Sequence, residues 1–122
     1  MMAEINYIQK KGEMSLNDIV KLQILLHCHL NEITISESDL ECLTLLGIEG
    51  ETNLTDFCFF AASEEIFSSS QSVRNSLNKS EAKKLIVKKG KSKKSIIINP
   101  NLKLQTNGNI FLDIKFLRKD AS

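Results

Sequence analysis

The stretch Gln71-Ser72-Val73-Arg74-Asn75-Ser76-Leu77-Asn78-Lys79-Ser80-Glu81-Ala82-Lys83 runs without a linker into Lys84-Leu85-Ile86-Val87-Lys88-Lys89-Gly90-Lys91-Ser92-Lys93-Lys94-Ser95-Ile96-Ile97-Ile98-Asn99-Pro100. At about 100° per residue, Val73, Leu77 and Ser80 share one side of a helix, which must face a core. Gln71, Asn75, Asn78, Lys79 and Ala82 fall opposite, flanked by Ser72, Arg74 and Lys83. The buried face is narrow; the exposed face is wide, basic and rich in amides. Residues 85–88 and 95–98 then read as two strands around the turn Lys89-Gly90-Lys91-Ser92-Lys93-Lys94, with Gly90 available for positive φ. Asn99-Pro100 ends the ladder, because proline offers no N–H.

Working back towards the start, three more helices are expected. Ser15 is a candidate N-cap with Asp18 three residues on, opening a helix over 15–31. Its second half is apolar nearly all round, which predicts a central, well-buried helix. Ser36 with Asp39 opens a second helix over 36–46, whose core stripe is Leu40, Leu43 and Leu46, with Gly47 and Gly50 bounding its end. A third over 53–66 starts near Asn53 or Thr55 and buries Leu54, Phe57, Cys58, Phe60 and Ala61. Ser68-Ser69-Ser70 supplies a turn and the cap of the fourth helix, 70–84. Residues 4–9 and 110–117 have the composition of short terminal strands. The expected fold class is therefore α+β: about four helices and a C-terminal hairpin in a single domain over 1–122, with the first 14 residues and 101–122 peripheral.

The chain has 122 residues, 42% of them hydrophobic, a content that supports one core but not two. The start, Met1-Met2-Ala3-Glu4-Ile5-Asn6, lacks the basic and apolar regions of a signal peptide, and Leu22 to Leu30 is too short to cross a bilayer. Cys28, Cys42 and Cys58 are odd in number and set in apolar surroundings, as expected of buried thiols in a reducing compartment. The formal net charge of +1 conceals segregation. Residues 32–65 carry nine acids and no Lys or Arg, while 71–94 carry nine bases against Glu81, a net of +8.

The order of helices followed by a basic-tipped hairpin, and in particular Ser69-Ser70-Gln71-Ser72-Val73-Arg74-Asn75-Ser76-Leu77 leading to Lys83-Lys84-Leu85-Ile86-Val87 and Ile96-Ile97-Ile98-Asn99-Pro100, resembles the recognition helix and wing of small winged helix-turn-helix proteins from bacteria and their phages. The resemblance covers roughly residues 36–100. Those proteins commonly place a glycine just before the first wing strand as a helix cap. Lys84 stands there, so the cap must come from another residue or at some cost. The whole chain also resembles small proteins of crAss-like bacteriophages, chiefly through Met14-Ser15-Leu16-Asn17-Asp18-Ile19 and Leu102-Lys103-Leu104-Gln105-Thr106 to Leu112. That resemblance implies a phage product, either handling DNA in the host cytoplasm or built into the virion.

Two functions compete for the charge pattern. In the first, the helix 70–84 enters a DNA major groove and the wing 85–98 grips phosphate. Gln71, Ser72, Arg74, Asn75, Asn78, Lys79, Lys83, Lys88, Lys89, Lys91, Lys93 and Lys94 are the candidate contacts, Arg suiting guanine, Asn and Gln adenine, and Lys phosphate. A merely solvated helix would more usually mix its signs, although a charged wing also discourages edge aggregation. In the second, the fold serves assembly, as in a head-tail connector or tail ring. An acidic face of Glu37, Glu41, Glu49 and Glu51 would then meet the basic block of a neighbouring copy or phage protein. A metal reading of His27-Cys28-His29 meets the objection that i and i+2 point about 200° apart on a helix. No phosphate loop, HExxH or G-x-S-x-G is present, so neither catalysis nor a cofactor is expected.

Overall fold

Ser15, Ser36, Asn53 and Ser69 each accept the backbone N–H of the third residue on, at 3.0–3.2 Å, and each starts a helix. Caps of this kind stabilise a helix by about 1 kcal/mol each. In the computed structural model, which describes residues 14–107, the helices are α1 (Leu16–Leu30), α2 (Glu37–Glu49), α3 (Leu54–Ser63) and α4 (Ser70–Ala82). A two-residue strand β1 (Thr52–Asn53) precedes α3, and β2 (Ile86–Lys89) and β3 (Ser95–Ile98) follow α4. The sheet is antiparallel with β3 in the middle: Ile86 pairs with Ile98, Lys88 with Ile96, and Thr52 also with Ile96. The protein is thus α+β, with four helices and a three-stranded sheet among the described residues. The expected strands 4–9 and 110–117 lie outside them.

One core joins these parts. Val20, Ile24 and Cys28 of α1, Leu43 and Leu46 of α2, Phe57 and Ala61 of α3, Val73 and Leu77 of α4, and Ile86, Ile96 and Ile98 of the sheet are all buried. The three thiols are free and buried, and burial pushes Cys42 up to about 12.

Four expectations need correction. First, α2 does not stop at 46: Gly47 lies inside it, and Gly50, at φ 77°, ends it. Gly47 is a packing residue, since a Cβ there would stand 2.8 Å from Val20 and from Leu104. Second, α1 is not buried all round. Leu25 is exposed and Leu30 is 77% exposed, because α1 presents only its Val20–Ile24–Cys28 stripe to the core. Third, α3 is shorter than expected, closing at Glu64 with Glu65 at φ 62°, and Phe60 is exposed where burial was expected, because Phe57 and Ala61 take the core side. Fourth, β1 was unforeseen. A two-residue strand has no periodicity to read, and Leu54 N–H to Lys94 O, 2.7 Å, holds it beside the hairpin.

Candidate nucleic-acid interface

Helix α4 is aimed by what lies beneath it. Val73, Ser76, Leu77 and Ser80 are its buried positions. Ser76 Oγ donates to Asp39 Oδ1 at 2.5 Å, and Lys79 Nζ lies 3.2 Å from Asp39 Oδ2. Burial by itself would raise the Asp39 carboxyl, but hydrogen bonds from Ser76, Lys79 and Ser36, with the Lys79 charge, hold it below the usual carboxylate range. A buried carboxylate on the first turn of α2 thus fixes the rotation of α4. Sequence reading took Asp39 only as a partner of the Ser36 cap and did not assign Ser76.

The junction between α4 and β2 is a Schellman turn made without glycine. Lys84 sits at φ 61°, its N–H bonds Glu81 O and that of Leu85 bonds Ser80 O, both at 2.9 Å. Asn99 Nδ2 then donates to Lys84 O at 2.9 Å, and Asn99 N–H to Leu85 O. The missing glycine is thus met by a lysine in the left-handed region, braced from across the hairpin.

The candidate contacts divide sharply. Gln71 Nε2 donates to Asn75 Oδ1 at 3.0 Å. Lys79 is on Asp39, and Lys83 Nζ donates to Thr34 O at 2.6 Å. Lys88 shares the inner sheet face with Ile86. It donates to Asn78 Oδ1 at 2.8 Å, lies 3.4 Å from Glu81, and its side chain is only 15% exposed. Ser72 receives the Ser69 cap on its backbone N–H. Arg74 is half-buried, with no hydrogen bond or ion pair among the described residues.

The wing tip is the opposite case. Lys89, Lys91, Lys93 and Lys94 are all exposed and none makes a side-chain hydrogen bond or ion pair among the described residues. Gly90, Ser92 and Lys93 take φ of 86°, 64° and 52°, and Lys93 N–H closes the turn on Gly90 O at 3.1 Å. Lys89, Lys91 and Lys94 line a shallow depression with Asn53 and Glu51, which β1 brings against the wing.

The expected acidic face is not one patch. Glu37 and Glu49 stand at opposite ends of α2, about 18 Å apart at about 1.5 Å per residue. Glu41 is paired with Lys21, whose ammonium that hydrogen bond holds above its ordinary range, and Glu51 lies by the wing. At His27-Cys28-His29, Cys28 is buried and His29 exposed, and the described residues contain no metal-binding cluster. No described helix is long and apolar enough to cross a membrane. Compared with family models, with curated proteins and with solved structures, the chain shows no match.

Proposed function

We propose that this is a non-catalytic winged helix-turn-helix protein that binds duplex DNA with α4 and the wing β2–β3. The element order supports the fold reading. Helix α2, strand β1, helices α3 and α4, then a hairpin whose second strand pairs with β1, is the order such a fold needs. The observation that carries the function is the wing tip: four exposed lysines crowd a turn that also spends backbone strain at Ser92 and Lys93. A polyanion relieves that repulsion. On the resemblance to phage proteins, the DNA would be that of a phage or its host.

The second reading, assembly within a virion, has a different observation in its favour. Phe59 is 64% exposed and Phe60 37%, on a helix that also carries Asp56 and ends at Glu64 and Glu65. Such a face suits a cationic protein surface. Native mass spectrometry with and without duplex DNA at two salt concentrations separates the readings. A DNA complex that dissolves at the higher salt supports the first. A closed ring of copies without DNA, and no complex with it, overturns it.

A further inference from the structure

We infer, on the DNA-binding reading above, that the protein holds the phosphate backbone of duplex DNA without base preference, the wing tip supplying the grip while α4 lies against the duplex without reading its bases. A recognition helix reads bases with side chains free to reach them. On α4 each amide has one end engaged and the lysines have internal partners: Gln71 Nε2 donates to Asn75 Oδ1, Lys88 Nζ to Asn78 Oδ1, Lys79 lies on buried Asp39, and Lys83 donates to the Thr34 carbonyl. A bidentate contact to adenine uses both ends of an amide, so at Gln71, Asn75 or Asn78 it competes with one of these internal bonds, which offsets part of its gain. The anchor on Asp39 is the hardest to release, since a buried carboxylate would lose its cation.

The unengaged cations have the other chemistry. All four at the tip are lysines, which are compact charges suited to phosphate and lack the planar fork that matches guanine. The sole arginine among the described residues, Arg74, has as amide neighbours Asn75 and Asn78, whose side-chain oxygens already accept from Gln71 and Lys88. Point charges on a strained turn, beside a helix whose amide oxygens and lysines already have internal partners, amount to a backbone clamp.

Fluorescence anisotropy with short duplexes of random, A·T-rich and G·C-rich sequence tests this at several salt concentrations. The expected result is the same dissociation constant for all three within about threefold, against the thousandfold or greater preference typical of specific binders. The variant K89A/K91A/K93A/K94A should lower the log–log salt slope by about 3.6, at about 0.9 per phosphate contact. Q71A and N75A should leave the ratio of affinities among the three duplexes unchanged, while circular dichroism shows all variants folded. A consensus recovered from a random-sequence library and bound about a hundredfold more tightly, with N75A abolishing the preference, would overturn the inference while leaving DNA binding intact. An unchanged salt slope in the quadruple variant would overturn the role of the tip. Failure to bind any duplex at low salt would overturn the DNA-binding reading itself.

Discussion

Helix α4 and the wing tip carry the same charge, within a dozen or so residues of one another, and use it in opposite ways. Apart from Arg74, the α4 side uses its cations inside the molecule. Lys79 serves Asp39, Lys83 closes on the α1–α2 loop at Thr34, and Lys88 on β2 reaches back to Asn78 and Glu81. The tip spends none: Lys89, Lys91, Lys93 and Lys94 face solvent around a turn that is itself strained. Identical side chains therefore belong to different links of the chain from sequence to function. One set determines how α4 is presented, and the other makes no bond among the described residues.

Stability measurements should expose that division, beginning with the anchor. Asp39→Ala leaves buried Ser76 without its acceptor and should cost about 2–3 kcal/mol in urea unfolding. A loss under about 0.5 kcal/mol would mean that the carboxylate does not hold α4. The same group gives a pH signature. Because its folded pKa is depressed, its stabilisation is complete above the unfolded value of about 4 and is lost as pH falls through that value and on to the folded one. Wild type should therefore lose more stability than D39A in that acid range, and the two curves should converge.

The next effect has the opposite sign. Lys84→Gly places the residue that the left-handed turn favours, so unfolding should become harder by about 1 kcal/mol. Lys88→Ala, which removes a nearly buried stem and its bonds to Asn78 and Glu81, should cost about 0.5–1 kcal/mol. Smallest of all, Lys91→Ala and Lys93→Ala should change stability by no more than about 0.5 kcal/mol, since their heads touch nothing that folding needs. If a tip lysine proves as costly as Lys88, the contrast between the two regions fails.

What could be read from the residues follows the range over which each signal acts. The caps at Ser15, Ser36 and Asn53 and the hairpin were legible because they depend on neighbours a few positions away. So was the division of α4 into a Val73–Leu77–Ser80 side and an amide-rich side. Gly47 was misread as a stop because a glycine that ends a helix and one that admits Val20 and Leu104 are the same letter. The apolar excess of α1 was misread as burial, although Leu25 and Leu30 face outward. At the candidate interface, the residue types and their exposed face could be foreseen. Their internal partners could not, since Asp39 meets Ser76 across 37 positions and Lys83 meets Thr34 across 49.

Gln23 of α1 and Gln105 exchange two hydrogen bonds. The Gln23 side-chain amide donates to the Gln105 carbonyl at 2.7 Å and accepts from its N–H at 2.8 Å, as a paired strand residue would. Next to it, Leu104 rests on Gly47. A single side chain thereby ties the chain shut over a span of 82 positions, with α2, α3, α4 and the sheet inside the loop. The consequence is kinetic: α1 cannot lift off α2 without releasing 103–106, nor can 103–106 leave without uncovering Gly47. In native-state hydrogen exchange, the amides of α1 and of Gln105 should open together as one unit, and Gln23→Ala should split that unit into two.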